Sequence, residues 1–247
     1  MDRMLYVAMS GAKQMMTAQA VNTNNLVNAN TTGFREDLAR FSSQPVAGEG
    51  LPSRVYALTE ANGVNLAPGP VNTTGRDLDV AVNGPGWIAV QTPEGNEAYT
   101  RAGNLHITSL GTLVTANGLP VLGNSGGPIA IPPAEKVEIG RDGSVSIRAS
   151  GQSPQSLATV DRIKLVNPEQ ERLFKGSDGL MHLEDNAVAY ADASVGLTPG
   201  ALEMSNVNAV EAMVNMIALA REYETNIKMM NIAKENDSAT AQILRMA

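Results

Sequence analysis

The sequence predicts an α+β protein in which N- and C-terminal helices pair as a coiled-coil-like core, with a central antiparallel all-β domain. Three observations carry this. Residues 2–30 contain no proline and a single glycine, Gly11, and residues 206–245 contain neither. Both stretches repeat apolar residues in steps of three and four, the spacing that lines one face of a helix. Between them, from Val71 to Thr198, short β-rich runs alternate with Gly, Pro, Asn and Asp, the punctuation of hairpins.

In the N-terminal segment, residues 1–34, the stripe runs Leu5, Ala8, Ala12, Met15, Gln19, Asn22, Leu26 and Ala29. Asn22, Asn24, Asn25, Asn28 and Asn30 crowd its end. Asparagine amides compete for backbone hydrogen bonds, so this helix is predicted to be weak alone and to order on assembly. Residues 35–70 read as a connecting segment. The β domain spans residues 71–200. Trp87-Ile88-Ala89-Val90 and Ala98-Tyr99-Thr100 flank a turn at Pro93-Glu94-Gly95-Asn96. A second hairpin is predicted from Lys136-Val137-Glu138-Ile139 through Arg141-Asp142-Gly143 to Ser144-Val145-Ser146-Ile147, and a further strand at Arg162-Ile163-Lys164-Leu165-Val166.

The C-terminal segment, residues 201–247, carries the longer stripe: Met213, Met216, Ala220, Tyr223, Ile227, Met230, Lys234, Asp237, Ala241 and Leu244, thickened early by Val207, Val210, Val214 and Ile217. Ser205 or Asn206 would cap it. A helix over residues 206–245 is about 60 Å long and would overhang a β domain about 35–40 Å across. Pairing with the N-terminal helix covers more of the stripe, at the cost of half-burying Gln19, Asn22, Lys234 and Asp237. Ile227, in the middle of the seam, is expected to be covered only when subunits pack.

Composition removes several function classes. Eighteen Lys and Arg against 25 Asp and Glu give a net charge of -7, which repels a nucleic-acid backbone, and one Trp, five Tyr and three Phe are too few for base-stacking platforms. The absence of cysteine excludes disulfides, thiolate metal sites and a thiol nucleophile. Neither a cleavable leader nor a membrane-spanning stretch is visible, so composition alone reads as a soluble cytoplasmic protein.

Catalytic patterns are weak. Ser10-Gly11-Ala12-Lys13 matches a Ser-x-x-Lys element but lies in the helical stripe without its companion motifs. Asp77 and Asp79, two apart on a predicted strand, would share a face, but no third metal ligand is identifiable and an Arg76-paired turn explains them better. His106 and His182 alternate with apolar neighbours as outward strand residues do. The clusters Gly84-Pro85-Gly86 and Gly123-Asn124-Ser125-Gly126-Gly127-Pro128 follow turn chemistry, and no cofactor is implied.

Four stretches carry a specific resemblance. Asn25-Leu26-Val27-Asn28-Ala29-Asn30-Thr31-Thr32-Gly33-Phe34 resembles the N-terminal motif of the flagellar rod and hook family; Gly33 supplies a positive φ to close the helix and Phe34 anchors the turning chain. Residues 75–87, ending Gly84-Pro85-Gly86-Trp87, and residues 99–105, Tyr99-Thr100-Arg101-Ala102-Gly103-Asn104-Leu105, are similar to the same family. So are residues 202–213, which include Ser205-Asn206-Val207-Asn208, with Arg221-Glu222-Tyr223-Glu224 beyond. Residues 1–14 resemble proximal-rod members more than distal ones. Val27 and Trp87 stand where relatives usually carry Ala and Phe.

The resemblance implies a structural, non-enzymatic subunit of the flagellar basal-body rod, a torque-transmitting shaft. It implies passage through the flagellar export apparatus without a cleaved signal and assembly in the periplasm. Implied partners are other rod subunits, both neighbouring proximal-rod proteins and the distal-rod protein, and copies of itself, with no nucleic acid and no membrane insertion. The assembly interface would comprise Leu5, Ala8, Ala12, Met15, Leu26, Val207, Val210, Met213, Met216, Ile217, Ala220, Tyr223, Ile227, Met230 and Leu244. The alternative reading is a secreted cell-wall glycan-binding β module, resting on Trp87 as an exposed aromatic.

Overall fold

In the computed structural model, residues 3–45, 55–149, 158–184 and 187–246 are described. The chain forms two compact units. One gathers Met1–Ala29, Glu36–Asn65 and Val207–Ala247, and the other Asn30–Arg35 with Leu66–Asn206.

The first unit is built on two helices, α1 (Arg3–Val27) and α2 (Ala209–Met246), which pack on each other. At 38 residues α2 is about 57 Å long. The hairpin of β1 (Asp37–Pro45) and β2 (Val55–Val64) packs against α1 and runs in antiparallel register from Asp37 opposite Val64 to Pro45 opposite Val55. Residues 35–70, read above as a connector, therefore carry two strands of the helical unit. The reading missed them because Gly, Pro and Ser punctuate the run without a clean alternation.

In the second unit the predicted hairpins are present. The strands are β3 (Val71–Thr73), β4 (Val80–Asn83), β5 (Trp87–Gln91), β6 (Glu97–Thr100), β7 (Leu105–Ile107) and β8 (Leu113–Thr115). They continue with β9 (Ala134–Ile139), β10 (Ser144–Ala149), β11 (Ala158–Arg162), β12 (Leu165–Val166), β13 (Leu173–Lys175), β14 (Met181–Leu183), β15 (Gly196–Pro199) and β16 (Ala201–Glu203). The widest sheet has the order β12-β5-β6-β14-β13, beside a three-stranded β11-β10-β9 sheet and the pairs β15-β4, β16-β3 and β7-β8. All registered pairs are antiparallel, with Gln91 opposite Glu97 and Ile139 opposite Val145 closing the two hairpins. The single strand expected at residues 162–166 is divided: Arg162 ends β11 in one sheet and Leu165 begins β12 in another, with Ile163 fully buried where the chain changes sheets.

One apolar core fills this unit, with Ile88, Leu105, Leu113, Ile129, Val145 and Ile163 sealed from solvent. Each such side chain contributes about 1.5–3 kcal/mol by burial.

Candidate functional site

Sequence reasoning points to two places, the helical seam and the family motifs. In the seam the helices run antiparallel: Asn22 on α1 donates to the Ala212 carbonyl at 2.7 Å, and eleven residues earlier Gly11 faces Asn226. A Cβ on Gly11 would stand 2.9 Å from the Asn226 Oδ1, so the one glycine of α1 leaves room for that side chain. Ala8, Ala12 and Ala18 on α1 and Ala212 and Ala233 on α2 are buried, the small residues that a tight helix pair requires.

Most predicted interface residues are thus covered within one chain. Leu5, Met15, Leu26, Met216, Ala220, Tyr223, Ile227 and Met230 are half-buried, and Ala8, Ala12 and Val207 buried. Ile227 does not wait for a neighbouring subunit to be covered, because the antiparallel α1 lies along that stretch of α2. Val210, Met213 and Ile217 are 71, 52 and 57 % exposed and Val214 is 60 % exposed. Lys234, Asp237 and Ala241, expected in the seam, are also exposed, as the charges of Lys234 and Asp237 favour. The side chain of Leu244 lies outside the described residues.

The asparagines have specific work. Asn25 is 4 % exposed; its Nδ2 donates to the Asp37 carbonyl at 2.8 Å and its Oδ1 accepts from the Asp37 N–H at 2.9 Å. The side-chain amide thereby imitates a strand partner and fixes the start of β1 to α1. Asn28 turns back onto the Asn24 carbonyl, to which both its side-chain Nδ2, at 2.9 Å, and its backbone N–H, at 3.1 Å, donate. Propensity predicts fraying here, and the hydrogen bonds of Asn22 and Asn25 work against it.

The motif residues of the β unit converge on Glu203, which is 1 % exposed. Its carboxylate accepts from Arg35 Nη2 at 2.6 Å, Arg101 Nη1 at 2.9 Å and the Gly69 N–H at 2.9 Å. Arg101 also donates to the Gly84 carbonyl at 2.9 Å. The guanidinium carbons of Arg35 and Arg101 lie 5.8 and 5.3 Å from the centre of the Trp87 ring, within cation–π range. Arg35 Nε and Nη1 and Arg101 Nε have no hydrogen-bond partner, and the indole is the electron-rich surface beside them. Burial works against the Glu203 carboxylate, but Arg35 and then Arg101 outweigh it and hold its pKa below the ordinary glutamate value. Burial lowers the Arg35 pKa, with Glu203 opposing.

Phe34 is half-buried with the Lys175 ammonium 3.9 Å from its ring centre, and Lys175 donates to the Arg35 carbonyl at 2.8 Å. Thr32 is half-buried and Ser205 buried.

Several readings need correction. Asn208, not Ser205 or Asn206, caps α2, its Oδ1 accepting from the N–H of Val210 at 3.1 Å and of Glu211 at 3.4 Å. Gly33 has φ +69° but lies six residues past the end of α1. Its requirement comes from the backbone of Arg101 and Ala102, which a Cβ would meet at 2.3 Å. Asp77 and Asp79 do not share a strand face, but the preferred turn reading holds: Asp77 is in an exposed turn, and Asp79 is buried, bound by Thr74 Oγ1 at 2.7 Å and paired with Arg76 at 3.5 Å. His106 is exposed, and His182 pairs with Asp178 at 3.0 Å and stacks on Phe174. Trp87 is 5 % exposed, which removes the aromatic on which the glycan reading rested. The reading missed Arg35, Arg101 and Glu203 as a set, although two of them stand within the quoted motifs and Arg35 directly follows one.

Motif residues that spend their chemistry on folding, beside paired terminal helices with apolar residues left exposed, define a structural class of protein. Three family descriptions match in chain order: flagella basal body rod protein over residues 5–35, flagellar hook protein FlgE/F/G D1 domain over 81–147, and flagellar basal body rod FlgEFG protein C-terminal over 198–243. The chain belongs to the flagellar basal-body rod protein family. It is 40 % identical to the flagellar basal-body rod protein FlgF of Salmonella typhimurium and 39 % identical to that of Escherichia coli, over the full length of all three chains. It is also 33 % identical to the rod protein FlgG of Bacillus subtilis, covering 95 % of this chain and 96 % of the relative. The protein is therefore a FlgF-like structural subunit of the flagellar basal body, associated with other rod components, and not an enzyme. Nothing in these similarities supports the glycan-binding alternative.

Proposed function

We propose that the terminal segments, 1–34 and 201–247, are the assembly elements of this rod subunit and that the central β domain, 71–200, is the body they carry. The observation that carries this reading is the exposed apolar row Val210, Met213, Val214 and Ile217 on α2, left over after α1 has covered the opposite side. Tyr6, Met9, Met16 and Val27 give α1 exposed apolar positions of its own. Such surface is costly in water and marks a place where another chain docks. The seam residues Ala8, Ala12, Met216, Tyr223, Ile227 and Met230 then act indirectly, by holding the two helices in the arrangement that presents the row.

The further readings follow from the family. The subunit occupies the proximal rod and contacts neighbouring proximal-rod proteins, the distal-rod protein and copies of itself. It reaches the periplasm through the flagellar export apparatus without a cleaved signal, and it transmits torque along the axis. The FlgF relatives, matched end to end, support the proximal position over the distal one.

Two substitutions test the division of labour between the faces. Ile217→Asp places a carboxylate where water already reaches, so the soluble chain should keep its helical content and melting temperature, while the subunit disappears from purified basal bodies and cells stop swimming. Ile227→Asp should loosen the helix pair in the soluble chain itself. Basal bodies containing normal amounts of the Ile217→Asp subunit would refute the assignment of this row.

A further inference from the structure

Three short stretches carry the chain into and out of the β unit: residues 30–35, residues 66–70 and residues 201–206. All three are tied to one another inside that unit. The Gly33 N–H donates to the Glu203 carbonyl at 2.8 Å, and the Gly69 N–H and the Arg35 guanidinium donate to its carboxylate. The Met204 N–H donates to the Pro70 carbonyl at 2.9 Å, and the Asn206 side chain donates to the Ala67 carbonyl at 2.9 Å. Lys175, from the end of β13, holds the Arg35 carbonyl on the other side.

We propose that Glu203 is the centre of a mechanical latch that locks the three crossing stretches into one anchor on the β unit. Every covalent path along which load passes into the β unit runs through these stretches. Unlatched, each would yield separately under force; tied through one buried carboxylate, they share it. The side chains suit this task. Glu203 is nearly sealed from water, Arg35 and Arg101 engage separate oxygens, and the pair of guanidinium groups flanks Trp87, so the carboxylate cannot swing without breaking charged hydrogen bonds in an environment that water does not reach. Gly69 fits only without a side chain, since a Cβ there would stand 2.1 Å from the Met204 carbonyl oxygen. The mechanical role of the latch rests on the rod reading; the latch itself does not.

The test uses the full chain and follows single amides by hydrogen exchange, with Arg35→Met as the perturbation, because it removes the guanidinium and keeps an apolar stem beside Trp87. The Gly33 and Gly69 amides should exchange at least tenfold faster, while the Ala89 amide, bonded to the Lys164 carbonyl in the sheet, holds its rate. Lys175→Met, outside the ion cluster, should speed Gly33 and leave Gly69 unchanged. In cells, Arg35→Met subunits should enter the rod, yet swimming should fail in viscous medium before it fails in dilute medium. Equal acceleration of Gly33, Gly69 and Ala89 would overturn the latch, since the cluster would then be an ordinary part of the fold, as would an unmoved Gly33 in both variants. Wild-type swimming under load with Gly33 and Gly69 freed would overturn its mechanical role. Failure of the rod reading is seen separately, as absence of the unmodified chain from purified basal bodies.

Discussion

Replacing Gly33 by alanine tests whether the end of the N-terminal motif works as a helix terminator or as a point of backbone contact. Two costs add at this position. An L side chain at φ +69° loses about 1–2 kcal/mol to contact with its own carbonyl. The new Cβ would also stand 2.3 Å from backbone atoms of Arg101 and Ala102, and a backbone cannot rotate aside as a flexible side chain would, so overpacking adds about 1–3 kcal/mol. Gly95→Ala is the matched control: its φ is +89°, but nothing lies within 4 Å of its Cβ, so only the first cost applies. The difference, about 1–3 kcal/mol, corresponds to about 3–9 °C in melting temperature for a unit of this size. Trp87 is the one tryptophan of the chain and lies in the cluster beside Arg101, so its fluorescence reports this unit without interference from the helices. If Gly33→Ala and Gly95→Ala melt together, the close approach at residues 101–102 is not what requires glycine.

Asn25→Ala removes both hydrogen bonds to Asp37 and should cost the helical unit about 1–3 kcal/mol, with the Asp37 amide exchanging at the rate of an open strand end; an unchanged Asp37 amide would refute the clamp. Glu203 gives the β unit an acid limb. Arg35, Arg101 and the Gly69 N–H face its carboxylate, and its folded pKa lies below the ordinary 4.5. The stabilisation is therefore complete above about pH 4.5 and is lost as pH falls through the folded value. Denaturant midpoints followed by Trp87 should drop below pH 4.5, and Glu203→Gln should weaken the fold at neutral pH while flattening that drop. A variant that keeps the full acid slope would assign it to another carboxylate.

The outline was legible because helices and hairpins announce themselves by period and punctuation. The three-four spacing of Leu5 to Ala29 found α1, and Gly95 and Gly143 found the two hairpins. What stayed hidden depends on contacts between residues far apart in the chain. Glu203 meets Arg101 across 102 positions and Arg35 across 168, and no local pattern shows which carboxylate will be buried. The caps failed for a related reason: Ser205, Asn206 and Asn208 are all competent N-cap residues, and tertiary bonding chooses among them. Asn206 is used to hold Ala67, which leaves Asn208 to open α2. The asparagines at positions 22 and 25 were legible as an anomaly, and their meaning was not, because a helix-weakening residue and a tertiary clamp have the same letter.

The distribution of side chains around α2 carries the argument about assembly one step further. At about 100° per residue, Ala212, Met216, Leu219, Tyr223, Ile227 and Met230 lie within one broad face, the one turned to α1. Val210, Met213, Val214 and Ile217 fall about 100–200° away from Ala212, so the first turns of α2 are apolar on two sides. A helix apolar on two sides is completed by burial on both. Beyond Ile217 the second face becomes mainly polar: Arg221, Glu224, Lys228 and Glu235 continue it, all exposed, with Asn231 and the exposed Ile232 among them. On the assembly face proposed above, the apolar half would supply affinity with little power to set direction, since hydrophobic contact tolerates sliding. The charged half reads + − + − along the helix, so a partner slid by one turn or docked in reverse would meet like charges. Joined on one face, the two halves would fix where a docked helix sits along α2 and which way it points.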